Sequence, residues 1–557
     1  MLSFCHQHFK NILAILFCFA LLAMASDTYA QKKSDTAGKV PVIIKNEKLF
    51  VHVKTDSGEI DKFIGDVQFQ QGETNLYCDS AYMRGSNIEA FGNARITQAD
   101  GTQAQSDYMR YTSSDKMAYM KGNVSLTDGK SKLWCEELTY NVATKTGVYT
   151  NGGTLQDSTT TVSSNAGTYN THTKDARFTG DVLVSDPQYQ ATSGDMGFNT
   201  ETKLVTFFNS PSVVTSDKSV LHTSVGTYDS KRQIAHFTGR SSVINDDQYL
   251  EADKLDYDKT IGFGKALGNV VAIDTTQHTT LYSGYAEYYR NRRVLWATIK
   301  PVLKQVTGKD SLFIRADSFY SAPVPKRKDT LLNNGLKQMR SETIHKGKNK
   351  RQLNAVPMAD TTVADSTSPR YFIGYHHVLI FSDSLQGRCD SVSYSQADSV
   401  IRMMYNPVAW SRNSQITGDT ILLKMDSNKL KRIYVPNNAL VVSLSGPPAS
   451  GMYDQVQGKT LRGDFVNNNI TYMLVKPNAE SIYYSKDDAG AYLGVNQAQS
   501  ERMKVFFVDR KISKILFEQE VHQTMTPIEQ ADIGATRLSR FKWLIEKRPK
   551  SREELFQ

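Results

Sequence analysis

The sequence predicts an all-β protein of stacked strand repeats, each about 29 residues long, that form a V-shaped or jelly-roll-like groove. Three observations lead to this fold class: a glycine motif that returns at a near-constant interval, an apolar/polar alternation after each copy of that motif, and a composition rich in strand and turn residues. The 557 residues include 28 Tyr, 24 Phe and 35 Gly but only 15 Pro. This balance favours strands joined by tight turns.

The repeat is anchored by a glycine that Asp or Asn follows in most copies, as in Gly65-Asp66 and Gly122-Asn123. The anchors stand at positions 65, 92, 122, 153, 180, 209, 239 and 268, with Asn209 in place of a glycine. Successive anchors are therefore 27 to 31 residues apart. Self-similarity at a fixed period is the sequence signature of a repeat architecture.

An alternation with a period of two follows each anchor and places one set of side chains on a single face of a strand. Residues between them, such as Gln68, Arg95 and Ser125, face the other way. The inward set is the candidate interior surface of the groove: Val67, Phe69, Ile96, Val124, Leu126, Val182, Val184, Val243 and Val270.

Each copy also ends on an aromatic residue, and the positions are Tyr111, Tyr140, Tyr169, Phe198, Tyr228, Tyr257 and Tyr288. A copy is thus expected to hold two short strands, two turns and one apolar face. One such unit cannot bury its apolar face alone, so the copies must stack. A V-shaped stack of strand pairs suits a 29-residue period better than a propeller, whose blades need about 40 residues.

The sequence suggests a cleaved N-terminal signal and several divisions after it. Lys10, an apolar run over 12–24 and small residues up to Ala30 resemble a signal peptide over residues 1–30, and a retained anchor is the alternative. The predicted divisions after it are a repeat domain over 41–322, a basic flexible linker over 323–369, a second and looser β domain over 370–525, and a C-terminal helix with a basic tail over 526–557.

The C-terminal helix is predicted from local signals. Thr526, Pro527 and Glu529 fit a capping box with proline at the first helical position. An apolar stripe at Leu538, Phe541 and Leu544 follows. Such a helix either caps the second sheet or docks on a membrane or a partner.

The net charge of +9 is concentrated outside the predicted sheets. Residues 326–351 hold nine Lys/Arg and two Asp/Glu, giving +7, and residues 537–557 hold seven and three, giving +4. The remainder of the chain is therefore about −2, because 9 − 7 − 4 = −2. A nucleic-acid-binding protein carries its basic charge on the folded surface, so nucleic acid is not an expected partner.

The sequence offers no constellation for catalysis or for a cofactor. The one tight histidine pair, His376-His377, would lie on a strand, where neighbours point to opposite faces and do not readily share a metal. Acidic residues recur once per copy, as turn and strand-end residues do: Asp79, Asp107, Glu136, Asp195 and Asp253. Cys78 and Cys135 occupy equivalent places two copies apart, too far for a disulfide.

The glycine motif, the alternating strand, the turn and the late tyrosine together resemble the repeat of the LptA/OstA family of lipopolysaccharide-transport proteins, which includes LptC and the N-terminal part of LptD. The resemblance covers residues 45–320 well and 370–520 weakly. It implies a periplasmic protein, possibly associated with the outer membrane, that holds lipopolysaccharide or a similar lipid by its acyl chains. The nine inward residues would then form the lipid groove, and edge strands would pair with other Lpt-type β-groove proteins.

The chain departs from a simple LptA-type bridge in its length, its basic linker and its second β region. Two other functions stay open on the sequence. One is a structural or adhesive surface β-solenoid with a closed, dry interior, and the other is a carbohydrate-active β-solenoid enzyme. A polar ladder or an acidic cluster on one outer face would favour these, whereas an open apolar trough favours lipid transport.

Overall fold

The computed structural model describes residues 40–557 except 57, 217, 308–309, 325–367, 427–428, 488 and 510. The predicted signal peptide and almost all of the predicted linker lie outside the described residues. The chain divides into two compact units, residues 1–148 and 149–557, and each is described by itself.

The strands of the first unit are β1 (Ile43–Asn46), β2 (Leu49–Thr55), β3 (Gly58–Gln71), β4 (Thr74–Arg84), β5 (Asn87–Thr97), β6 (Gln103–Thr112), β7 (Met117–Thr127) and β8 (Lys132–Asn141), and β9 (Thr146–Tyr149) reaches its boundary. From β3 to β8 the first unit is an antiparallel meander in which consecutive strands pair, and both β1 and β2 pair with β3. The strands from β3 to β8 are 10 to 14 residues long, so a copy holds two long strands rather than two short ones.

The length of these strands follows from a bend at the glycine motif. Gly122 has φ +80° and Asn123 has φ +48°, and the pairing between β7 and β8 shifts register between Lys121 and Val124. Glycine pays no Cβ penalty in this left-handed region, and Asn tolerates it better than other side chains do. The motif predicted as a repeat anchor is therefore a β-bulge that turns one strand into two differently directed halves.

The bends divide the first unit into two walls. The first wall consists of segments 67–71, 74–78, 94–97, 103–106, 124–127 and 132–135, and the second wall consists of 58–64, 80–84, 87–91, 108–112, 117–121 and 137–141. Each long strand contributes one half to each wall. The V-shaped, all-β fold class predicted from the sequence is confirmed.

The second unit contains the remaining strands. They are β10 (Gly153–Gln156), β11 (Thr161–Ser164), β12 (Ala166–Asn170), β13 (Asp175–Asp186), β14 (Tyr189–Asn199), β15 (Leu204–Asn209), β16 (Ser212–Thr215), β17 (Val220–His222), β18 (Gly226–Asp229), β19 (Ile234–Phe237), β20 (Ser241–Asn245), β21 (Gln248–Ala252), β22 (Lys254–Asp258), β23 (Phe263–Asp274), β24 (Thr279–Tyr289), β25 (Val294–Thr298), β26 (Val302–Thr307), β27 (Asp310–Arg315) and β28 (Ser318–Pro323). After the undescribed segment come β29 (Arg370–Phe381), β30 (Gln386–Ser395), β31 (Val400–Met404), β32 (Val408–Ser411), β33 (Ser414–Thr417), β34 (Thr420–Asp426), β35 (Lys429–Val435), β36 (Ala439–Leu444), β37 (Tyr453–Gly458), β38 (Thr460–Val466), β39 (Asn469–Lys476), β40 (Ala479–Lys486), β41 (Tyr492–Ser500), β42 (Arg502–Val508), β43 (Lys511–Glu518) and β44 (His522–Pro527).

The two predicted β regions meet edge to edge within this unit. Strand β28 pairs with β29 over six residue pairs, from Ser318 with Tyr375 to Pro323 with Arg370. One apolar core runs from Ala235 to Val505 across that junction. The proposed division at 322 and 370 into separate domains stays a prediction.

The bends continue past residue 370, where the sequence repeat is weak. His376 and His377 have φ +58° and +51°, and the register of β29 against β30 shifts between Tyr375 and Val378. The histidine pair therefore occupies a bend and not the regular strand that the sequence suggested.

The predicted C-terminal helix is wrong, since the described residues contain no α-helix. Pro527 ends strand β44, and residues 528–557 run on as extended chain with short 3₁₀ turns over Ile528–Gln530, Ile545–Lys547 and Glu553–Phe556. The backbone amides of Leu538 and Leu544 donate to the side-chain oxygens of Gln455 and Gln415 in the sheet, rather than to helical carbonyls. The basic tail lies against the sheet.

Cys78, Cys135 and Cys389 are free thiols. Burial raises the pKa of each to about 12, with nearby carboxylates adding to the shift. Such thiols are protonated and unreactive at neutral pH.

Candidate functional site

Within each unit, the predicted groove residues point inward on strand segments that follow a bend. Eight of them are less than 5% exposed, and Val243 is partly buried against the core of the second unit. In each unit the predicted residues therefore lie on a buried inner surface of the strands. Whether these side chains touch lipid stays a prediction.

The sequence reasoning missed the second wall. In the first unit its inner face is formed by Phe63, Ala81, Ile88, Ala90, Met109, Ala118, Met120 and Leu138, each at most 1% exposed. The signal was present, because Phe63 and Met120 stand two positions before their anchors just as Val67 and Val124 stand two positions after them. We call the space between the two inner faces the slot.

The slot is closed in this structure. The rings of Phe63 on the second wall and Phe69 on the first wall are 5.3 Å apart and perpendicular. The gap that remains beside Phe69, Ile88 and Tyr111 has a volume of about 10 Å³, which is at the lower limit for a single water molecule. The slot is thus apolar and filled by its own side chains, and an acyl chain enters only if the walls part.

Polar side chains join the two walls at the edge opposite the bends, which we call the mouth. In the first unit, Tyr140 Oη of the second wall donates to Gln98 Oε1 in a turn of the first wall at 2.6 Å, and Gln98 Nε2 donates to the Val142 carbonyl at 2.9 Å. Tyr111 Oη donates to Gln71 Oε1 in the same way at 2.5 Å. Two of the predicted closing aromatics, Tyr111 and Tyr140, therefore join the walls at the mouth through their hydroxyls.

The mouth of the second unit carries the same kind of link. Lys203 Nζ pairs with the buried carboxylate of Asp157 at 2.5 Å, and Gln396 Nε2 donates to Gln277 Oε1 at 3.0 Å. These contacts span 46 and 119 residues of sequence. Each contact joins a turn between two strands to another turn far along the chain.

An ion pair between Lys145 and Asp100 completes the mouth of the first unit. Burial would raise the pKa of Asp100, but hydrogen bonds from the Lys145 ammonium and from Thr102 outweigh it and leave that pKa below its usual value. A carboxylate whose pKa is lower in the folded state than in the unfolded state stabilises the fold at pH values above its unfolded-state pKa. This stabilisation is lost as the pH falls through the folded-state pKa.

We therefore expect Asp100→Asn to lower the free energy of unfolding at pH 7. Below about pH 4, where an Asp in the unfolded chain titrates, the free energy of unfolding of this variant should change less with pH than that of the unmutated protein. Urea unfolding between pH 3 and 7 measures both effects. Lys145→Gln is the matched variant and should flatten the same window. An unchanged pH dependence in both variants would show that the pair does not fasten the mouth.

On the outer side of the bends, a ladder of polar side chains links neighbouring strands. The Asn that follows an anchor donates its amide to an Asp on the neighbouring strand, as in Asn93 to Asp79 at 3.0 Å, Asn123 to Asp107 at 2.7 Å and Asn269 to Asp253 at 2.8 Å. Most of the acidic residues that recur along the sequence thus hold the bends.

The histidine pair belongs to this ladder. His377 Nδ1 lies 2.8 Å from Asp317 and His376 Nδ1 lies 3.2 Å from Asp390, so each ring faces its own carboxylate. Within the described ranges, no three side chains of His, Cys, Asp or Glu gather as metal ligands would.

Comparison with known proteins gives one family match and one structural likeness. Residues 39–194 match the family model described as OstA-like protein. No curated protein matches the chain in sequence. Among solved structures it is similar to LptH, the LptA homologous periplasmic component of the conserved lipopolysaccharide transport device from Pseudomonas aeruginosa, at 13% identity.

That likeness covers 26% of this chain and 95% of LptH, with a TM-score of 0.20. A likeness at this TM-score carries no weight for function. Of the helices in the described part of the chain, none is long and apolar enough to span a membrane.

Proposed function

We propose that this chain, whose residues 39–194 match a family model described as OstA-like protein, belongs to the LptA/OstA-like family and is a periplasmic, non-enzymatic protein that moves lipopolysaccharide or a related lipid toward the outer membrane. The acyl chains would lie in the slot between the two walls. The observation that carries the proposal is that both inner faces of the first unit are predominantly apolar, with Ser106 as a buried polar exception.

The energetics favour entry through the mouth. At the bends the two walls are joined by the continuous main chain and by the Asp–Asn ladder. At the mouth they are joined by side-chain contacts such as that of Tyr140 with Gln98. A hydrogen bond of this kind contributes about 1 kcal/mol, and each methylene moved from water into the slot contributes about 0.8 kcal/mol. An acyl chain of ten methylenes therefore outweighs several such links, provided that the walls part without losing much of their own burial.

Partner proteins are proposed at the free edge of the first unit. Strands β1 and β2 both pair with β3, and they expose Ile43, Ile44, Leu49 and Phe50 at 42 to 53%. Exposed apolar edge strands accept a strand from another chain. Other Lpt-type β-groove proteins are the partners that we propose there, with residues 1–30 as the export signal.

One observation favours a second candidate function. The closed, dry slot is what a structural or adhesive β-solenoid would have, and such a protein would need no cargo. The carbohydrate-active enzyme has no comparable support, because most of the recurring acidic residues, Asp79, Asp107 and Asp253, bind the Asn side chains at the bends.

Photo-crosslinking in cells separates the two candidates. A photoreactive amino acid would replace Val124 on the first wall or Met120 on the second, with outward-facing Ser125 as the matched control one residue away. We expect lipopolysaccharide adducts at both inner positions and none at Ser125.

Absence of lipid at both inner positions in folded protein would leave the structural solenoid as the function. Adducts at Ser125 equal to those at Val124 would mean that lipid coats the surface and does not enter the slot. Tyr140→Phe, which removes one mouth contact, is expected to increase capture at Val124 if the mouth is the entry.

A further inference from the structure

The C-terminal segment 528–557, which we call the strap, crosses the outer face of the sheet in the second unit. At one end Ile528, Ile533 and Leu538 pack on a cluster formed by Ile482, Tyr484 and Val495. At the other end Leu555 is fully buried against Val302 and Phe313. The strap thereby reaches from strands β40 and β41 back to β26 and β27, which precede segment 325–367.

The sheet beneath the strap has an apolar outer face. Residues of β32, β36 and β40 that point away from the main core are nonetheless at most 2% exposed, and they are Trp410, Leu440, Val442 and Tyr484. The corresponding outward positions of the first unit are mostly polar or charged, such as Gln68, Arg95 and Gln105, and Trp134, an aromatic residue among them, is exposed. An outer face changes in this way only where something permanently covers it.

Buried glutamines of the sheet bind the main chain of the strap. Gln415, which is fully buried, donates from Nε2 to the Lys542 carbonyl at 2.7 Å and accepts the Leu544 amide at 2.7 Å. Gln455, also fully buried, binds the Thr536 carbonyl at 3.1 Å and the Leu538 amide at 2.9 Å. Each side-chain amide thus satisfies one carbonyl and one amide two residues apart, as a neighbouring β-strand would.

Arginine and aromatic side chains of the strap add specific contacts. Arg537 donates to the Gly451 carbonyl at 2.7 Å and lies over the Tyr453 ring at 5.1 Å. The ring of Trp543 packs against the same Tyr453 ring, with the ring centroids 5.2 Å apart. Arg548 donates to Gln386 Oε1 at 2.5 Å and 2.9 Å. The basic residues of the tail are therefore used in docking.

We propose that this outer face is a peptide-binding site whose resident ligand is the strap. The site takes an extended peptide, reads its main chain through Gln415 and Gln455, and selects its sequence through the Tyr453 stack and the Leu555 pocket. By occupying the site, the strap holds together strands that precede and strands that follow segment 325–367 in the sequence.

The test uses the full chain with a specific protease site inserted between the exposed Glu529 and Gln530. After cleavage we expect the fragment from residue 530 onward to stay with the body of the protein through gel filtration at micromolar concentration. The double variant Gln415→Leu with Gln455→Leu should hold it about tenfold or more less tightly, because four main-chain groups lose their partners. Gln105→Leu on an exposed strand position is the control and should hold it normally.

Two results would overturn the proposal. Immediate loss of the fragment from the unmutated cleaved protein would mean that the strap is not a ligand in its own right. Equal retention by the double variant would mean that the glutamines do not recognise it.

Amide hydrogen exchange on the intact single variants gives a second readout that does not depend on cleavage. Gln415→Leu should accelerate exchange at Leu544 and leave Leu538 protected, and Gln455→Leu should do the reverse. Uniform acceleration along the whole strap in either variant would contradict separate main-chain recognition.

Discussion

Replacing Gly122 with valine is expected to destabilise the first unit by about 3 kcal/mol. The backbone there has φ +80°, where an L side chain costs about 1 to 2 kcal/mol and a β-branched one more. A Cβ would also lie 2.7 Å from Asp107 Oδ2 and would displace the carboxylate that binds Asn123. Urea unfolding of the purified protein measures the loss.

Gly129→Val is the control that separates strain from the lost contact. Gly129 has φ +88°, yet a Cβ there meets no heavy atom within 4 Å. This variant should lose only the backbone contribution of about 1 to 2 kcal/mol. Equal losses at the two positions would show that the Asp–Asn ladder adds nothing to the bend.

Phe63→Ala is expected to destabilise the first unit by about 3 to 5 kcal/mol, the usual cost of removing a fully buried phenylalanine. Phe63 is 1% exposed and its ring is the second-wall partner of Phe69. Its removal leaves a cavity between the walls that neither wall can fill without moving. Chemical denaturation measures the change in the free energy of unfolding.

Phe91→Ala tests the inward assignment, because Phe91 lies just before the next bend and faces outward. Its ring is half-buried and contacts the rings of Tyr82 and Tyr108 at 5.3 and 5.4 Å. We expect a loss of about 1 kcal/mol, which is the size of exposed aromatic pairs. If Phe91→Ala cost as much as Phe63→Ala, the inner and outer faces of the second wall would have been assigned the wrong way round.

The sequence by itself determined the features whose cause is local. The interval between the anchors, the Gly-Asp and Gly-Asn pairs and the inward set from Val67 to Val270 all depend on residues within a few positions of each other. Left-handed backbone favours Gly, Asn or Asp at the position itself, and alternation along a strand fixes the side-chain direction. These features predicted both the fold class and the first wall.

Only the tertiary structure decided the features that join distant residues. The mouth contact between Tyr140 and Gln98 spans 42 residues, and nothing near either position in the sequence marks its partner. The strap shows the same limit more strongly, because its spacing of Leu538, Phe541 and Leu544 suits a helix. Glutamines 83 and 129 residues away bind the amides of Leu538 and Leu544 instead. Partners supplied by packing outweigh a local helix preference of a few tenths of a kcal/mol per residue, so the segment is extended.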